Sequence, residues 1–174
     1  MSREAFCRLT AGDVSVLLSM LEHYSEEPSA LTVLLRRKLA QAGIFFREDI
    51  QADVVTLDSR VLYSLDGQSR GPRLLVRSAP MDLPPFALSV HSIEGLALLG
   101  LAEGEAIEVD PGDGAVQVLT VEKVLFQPEA AERTAGAKSE ADMPDDAPNV
   151  VSFRRQRPLV FHVDPDNDPG PTAA

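Results

Sequence analysis

From Asp13 to Tyr24 the apolar residues Val14, Leu17, Leu18 and Leu21 recur at i, i+3, i+4 and i+7, the stripe of an α-helix with one face turned to a core. Thr10 suits the N-cap, with Asp13 three residues on in place of the usual capping-box glutamate. The stretch EHYSEEPSA, residues 22–30, ends this helix, and Pro28 fits the first turn of a second one, where its missing N–H costs nothing. Leu31, Leu34, Leu35 and Leu39 continue an apolar stripe, Arg36, Arg37 and Lys38 suit the negative helix end, and Gly43 can supply a left-handed cap. Helices joined by so short a bend fold back as an antiparallel hairpin. At about 13 residues and 1.5 Å per residue its reach is roughly 20 Å.

From Asp53 the period shortens to β-branched segments between turn signals. Strands are expected at 53–57 (DVVTL), 60–65 (RVLYSL), 73–79 (RLLVRSA), 86–90 (FALSV), 105–110 (EAIEVD) and 115–126 (AVQVLTVEKVLF), with DGQSRG and DPGDG as hairpin turns. Ser92 can cap a short helix running to Leu99 and stopped by Gly100. The order predicts an α+β fold: a helical hairpin, then an antiparallel sheet covered by one helix.

After FQPEA the stretch AERTAGAKSEADMPDDAPN has almost no large apolar residue and reads as a disordered linker. VVSFRRQRPLVFHV, residues 150–163, sets Val, Phe and Leu around three arginines and reads as either a short linear motif or an extra edge strand. DPDNDPGPTAA then returns to disorder. The expected divisions are therefore 1–46, 47–130 and an acidic, Pro-rich tail, 131–174.

Composition narrows the function. Of 174 residues 44% are hydrophobic, only 5% aromatic and none is Trp, which leaves little stacking surface for bases or sugars. The net charge of −11 repels phosphate backbones, and no basic patch stands out, so direct nucleic-acid binding is disfavoured. Residues 1–50 are near neutral, with 6 basic against 7 acidic side chains, while 51–129 hold 5 against 12. Cys7 has no disulfide partner and names no base that would make it a nucleophile. The opening MSREAFCRL lacks the apolar stretch of a secretory signal, and no run approaches the roughly 18 residues of a membrane span, so a cytoplasmic protein without membrane contact is expected.

ADVVTLDSRV (52–61), SIEGLALLGLAEGEAIEV (92–109) and LFQPEA (125–130) together resemble the C-terminal domain of the bacterial Gre transcript-cleavage factors. The QPEA ending and the short hairpin look more like their shorter relatives, the regulators of nucleoside diphosphate kinase (Rnk). The resemblance spans roughly residues 10–130 and implies an FKBP-like sheet domain behind the hairpin. It also implies a partner, RNA polymerase, bound at the mouth of its secondary channel. Gre factors push a long hairpin down that channel, where an acidic pair at the tip helps to hold a catalytic Mg²⁺.

Glu22, Glu26 and Glu27 occupy the corresponding tip here. Two carboxylates suffice for Mg²⁺, which takes the rest of its shell from water and phosphate. Yet a ~20 Å hairpin is too short for a buried active centre. Glu26 and Glu27 are adjacent and diverge on a helix, and Glu22 and Glu26 share a face only if the first helix runs past Tyr24. The cluster therefore reads as a solvated bend, a docking contact or, least simply, a Mg²⁺ carrier. Where family members commonly have Ser-Pro this chain has Ser92-Ile93, and the resemblance makes His91, Ser92, Ile93 and Glu94 polymerase-rim contacts. The plain reading is that Ser92 caps its helix and Ile93 fills core.

Other chemistry finds no support in the sequence. GLALLGLAEG lacks the Lys-Ser or Lys-Thr of a phosphate loop, and DPDNDPG puts Pro169 where a calcium loop needs glycine. His23, His91 and His162 stand at no metal-ligand spacing. Prolyl isomerase chemistry needs an aromatic-lined pocket that so few aromatics are not expected to build. The expectation is a non-enzymatic polymerase regulator, without cofactor, metal or small-molecule substrate, that competes with or tunes other channel factors. The alternatives are a cleavage factor using tip carboxylates and an interaction module for nucleoside diphosphate kinase.

Overall fold

The computed structural model of the chain describes residues 7–24, 26 and 28–141. Helix α1 (Ala11–Tyr24) opens on the expected cap: Asp13 N donates to Thr10 Oγ1 at 3.1 Å and Thr10 N returns a bond to Asp13 Oδ2 at 2.9 Å. Its buried face is Asp13, Leu17 and Met20, whereas Leu18 is turned outward. Helix α2 (Ala30–Gln41) is capped by Ser29, whose Oγ accepts from Thr32 N at 3.2 Å, so Pro28 precedes the cap instead of standing in the first turn. At its other end Ala42 adopts extended φ/ψ and the chain passes directly into a strand, leaving Gly43 in that strand and not at a left-handed cap.

That strand, β2 (Ala42–Phe45), pairs in parallel with β1 (Cys7–Thr10), in register from Cys7↔Ala42 to Thr10↔Phe45. The pair ties the entry of the helical hairpin to its exit. β1 is held in turn to the sheet domain, with Arg8 N donating to Gly100 O at 2.9 Å.

The main sheet has the order β5-β4-β3-β7-β6, formed by β3 (Arg60–Leu65), β4 (Gln68–Val76), β5 (Ala87–Ser89), β6 (Ala106–Val109) and β7 (Gln117–Phe126). Pairing is antiparallel except between β4 and β5, which run parallel. The two expected hairpin turns join β3 to β4 and β6 to β7. Residues 53–57 do not form a strand: their ladder pairing is limited to one bridge, Val54↔Ala102, with further backbone bonds from Val55 N to Leu101 O and from Gly100 N to Val55 O, each at 2.8 Å. Their β-branched run reflects burial, since Val54, Val55 and Thr56 are wholly buried in a segment that turns at Thr56–Ser59, where Thr56 N donates to Ser59 Oγ.

Helix α3 (Ile93–Leu98) starts at Ser92, as expected, and packs against β5, β6 and β7. Leu9 of β1, Leu17 of α1, Leu35 of α2, Leu96 and Leu98 of α3, Val61 and Tyr63 of β3, and Leu119 and Val121 of β7 belong to one buried cluster. The hairpin and the sheet therefore share a core, and the class is α+β.

The linker expected after residue 130 is instead helical through Ala141: α4 runs Pro128–Ala141, with Pro128 where its missing N–H is harmless. Alanine, glutamate and arginine carry enough helix propensity to need few apolar contacts. Two anchors fix its start, Thr56 Oγ1 donating to Glu129 Oε2 at 2.7 Å and Arg133 Nη1 to Arg47 O at 2.8 Å. Residues 142–174, including the 150–163 segment and DPDNDPG, lie outside the described residues.

Gly95 faces Ser89 across the first turn of α3. A Cβ there would overlap the Ser89 carbonyl oxygen and stand 2.8 Å from its carbon, whereas one on Gly136 in α4 meets nothing within 4 Å. Gly95→Ala should therefore lower unfolding stability by about 3 kcal/mol, and Gly136→Ala should raise it by about 0.5–1 kcal/mol, in urea titrations of the two variants.

Candidate functional site

Helix α1 ends beside the start of α3. The hydroxyl of Tyr24, the last residue of α1, lies 3.1 Å from His91 Nδ1, and the two rings meet edge to face with centroids 5.8 Å apart. His91 Nε2 is 3.1 Å from the Arg77 carbonyl oxygen. Because a carbonyl only accepts, Nε2 carries the proton, and in the neutral ring Nδ1 accepts from Tyr24. His91 thus stitches the bend end of the hairpin to the loop ahead of α3.

The neighbouring candidates are engaged within the fold. Ser92 Oγ accepts from Gly95 N at 3.1 Å and donates to Ser89 O at 2.7 Å, the capping arrangement of the plain reading. Ile93 is half-buried and packs against the core. Glu94 Oε2 accepts from Tyr63 OH at 2.6 Å, and burial together with this bond holds the Tyr63 phenol above its ordinary range. All four residues, 91–94, keep part of their surface open.

On the bend side Glu22 and Glu26 are exposed, while Glu27 lies outside the described residues. Since α1 stops at Tyr24, Glu22 and Glu26 do not share a face of one helix. Among the described residues no group of three or more His, Cys, Asp and Glu side chains could hold a metal. What the fold brings together is a surface: an acidic bend at the end of α1 beside the capped start of α3, joined through Tyr24 and His91.

Two buried ionisable side chains, Lys38 and Asp13, and a buried thiol, Cys7, fix the hairpin that carries this surface. Lys38 of α2 is 2% exposed, and its Nζ donates to Ala97 O at 2.6 Å and to Leu99 O, two carbonyls left open at the end of α3. Burial lowers its pKa from 10.5 to about 8. Cys7 Sγ approaches the same Leu99 carbonyl at 3.8 Å, and burial pushes its thiol pKa up. At the base of α1, Asp13 Oδ1 accepts from Leu57 N at 3.1 Å while Oδ2 serves Thr10, and burial raises its carboxyl pKa.

The QPEA residues turn out to be clamps. Gln127 Nε2 donates to Gln51 O and Val54 O, each at 2.7 Å, and Glu129 takes the Thr56 hydroxyl while lying 3.9 Å from Arg47 Nε. Sequence reasoning placed Lys38 at the helix dipole, yet it falls seven residues after Leu31, on the buried stripe. A lysine at an apolar-face position was the available signal. Tyr24 carried no such mark, because its partner is 67 residues away.

No protein-family model matches this chain. Proteins of Escherichia coli (strain K12) and Shigella flexneri, each called "Regulator of nucleoside diphosphate kinase", are 38% identical to it over 99 residues, 56% of this chain and 72% of theirs. Among solved structures, the prokaryotic transcription elongation factor GreA/GreB from Nitrosomonas europaea superposes with a TM-score of 0.53 at 28% identity, over 69% of this chain and 99% of that one.

The Lys38 site makes stability depend on pH with a defined sign. Its folded pKa of about 8 lies below the ordinary 10.5, so above pH 8 the unfolded chain holds the proton more tightly, and stability rises with pH. Cys7 opposes this only above its ordinary 9.0 and Tyr63 only above 10.0. Between pH 8 and 9 the stability of the native chain relative to Lys38→Met should therefore climb, by up to about 1.4 kcal/mol per pH unit. Parallel urea-midpoint curves for the two proteins would contradict the assignment.

Proposed function

Because this chain belongs to the family of the regulator of nucleoside diphosphate kinase, with a solved GreA/GreB elongation factor as a structural relative, we propose that it regulates transcription by binding RNA polymerase at the rim of the secondary channel. It acts there without catalysis, by occupying the rim and competing with other channel factors. The acidic bend and the start of α3, with Glu26, His91, Ser92, Ile93 and Glu94 and with Glu27 next in sequence, form the contact.

One observation carries this reading. The hairpin is short and fastened along its length, at α3 by Lys38, at the sheet domain by Asp13 and at its end by Tyr24 and His91. Fourteen residues in α1 give it a length of roughly 21 Å. A device of that length, sharing its core with the sheet, suits perching at an opening better than reaching a distant active centre. The relatives' names, a regulator and an elongation factor, agree with a role other than catalysis. The name of the curated relatives favours one second reading, a direct effect on nucleoside diphosphate kinase.

The test is competition on stalled elongation complexes with Mg²⁺. The chain should displace a transcript-cleavage factor, leave the RNA full length, and bind about tenfold more weakly after Glu22→Lys with Glu26→Lys, since reversed rim charges chiefly weaken docking. RNA shortened by the chain, and no longer shortened after Glu22→Gln with Glu26→Gln, would replace this reading with a cleavage factor. Failure to bind polymerase, together with a change in the kinase's turnover on adding the chain, would favour the second reading.

A further inference from the structure

The face of the sheet turned away from α3 carries a row of four residues, one from each of four neighbouring chain segments. Arg60 of β3 is the register partner of Phe126 in β7 and of Leu74 in β4, and Leu74 N donates to the carbonyl of Phe86, just ahead of β5, at 2.8 Å. Arg60 is exposed where the next residue, Val61, is wholly buried, as strand alternation requires. The four side chains line an open cavity of about 550 Å³, within the range of ligand pockets. Phe86 and Phe126 are 59% and 47% exposed, a large apolar outlay for a surface over which none of the described residues packs.

Charge distinguishes this row from an ordinary exposed patch. The chain carries −11, yet residues 60–77 hold four arginines against one acid, Asp66. Arg77 pairs with Asp58 at 3.6 Å, but among the described residues Arg60, Arg70 and Arg73 form no ion pair. Arg60 therefore presents an uncompensated guanidinium between apolar walls, the setting in which a carboxylate is recognised most strongly.

We infer that this row binds an extended protein segment in which two apolar side chains bracket an acidic one, in the order apolar, any, acidic, any, apolar. The dimensions agree. Neighbouring strands lie ~4.8 Å apart, so the row from Phe126 to Phe86 spans ~14 Å. Side chains on one face of an extended peptide repeat every ~6.7 Å, so its first and fifth residues are separated by ~13 Å. The outer side chains then rest on Phe126 and on Phe86 with Leu74, and the central carboxylate reaches Arg60. Single-stranded RNA could also stack on the rings and pair with the arginines. The protein segment is favoured because the chain's overall negative charge opposes a phosphate backbone while leaving a single buried carboxylate well placed.

The surface is separate from the bend and the start of α3, so its test stands apart from polymerase binding. A fluorescein-labelled peptide carrying Leu-Ser-Glu-Ser-Phe between Gly-Ser flanks should bind the full chain saturably, with the lysine-centred version about tenfold weaker. Arg60→Glu should invert that preference, a gain that a merely unfolded variant cannot give, and Phe126→Ser should weaken both peptides. Absence of saturable binding, equal binding of the two peptides, an unchanged preference in Arg60→Glu, or an RNA oligonucleotide that binds where the peptides do not would each overturn the assignment.

Discussion

A buried ammonium holds this molecule's two halves together. Lys38 lies on the apolar stripe of α2, where its charge is costly, and offsets that cost by donating to the carbonyls of Ala97 and Leu99 that α3 cannot satisfy for itself. The helix dipole adds to the attraction, because these carbonyls form the negative end of α3. The consequence is mechanical. α2 is bonded to the helix that covers the sheet, so the hairpin has one orientation instead of swinging on its connection. The neighbouring contacts repeat the logic at other points: β1 pairs with β2 and donates to Gly100, and Asp13 reaches across to Leu57.

This fastening gives the candidate surface its definition. The bend after α1 and the cap of α3 come from sequence positions some 67 residues apart, and they meet because Tyr24 and His91 bond at the end of a hairpin already fixed elsewhere. The signature residues Gln127 and Glu129 act at the opposite end, where they hold the 51–56 segment and start α4. Their place is architectural: they secure the base of the hairpin. The short, fastened hairpin and the separate row around Arg60 are the two faces proposed for partners.

Much of this was legible in the sequence because its causes are local. The alternation of 60–65 and 115–126, the turns DGQSRG and DPGDG, the Thr10–Asp13 box and the Ser92 cap each involve residues within a few positions of one another, and each appears where expected. The errors have non-local causes. Four-residue strands such as β1 and β2 have no periodicity to detect, and their pairing depends on the hairpin between them. The run at 53–57 is β-branched because it is buried, without a full partner strand. α4 relies on propensity and two anchoring bonds, which a count of apolar residues misses. Residues 91–94 were nominated from resemblance alone. The Tyr24 contact that ties them to the bend, and the row around Arg60, required the folded arrangement.

The central claim is that the bend end of a fastened hairpin is the face offered to RNA polymerase. Photo-crosslinking tests it most directly, with a photoreactive residue placed at Glu26 in the bend and, in a second protein, at Glu132 on α4 near the hairpin's base. The account predicts crosslinks from Glu26 to polymerase subunits and none from Glu132. Crosslinks from Glu132 alone, or from neither position in a complex known to have formed, would contradict it.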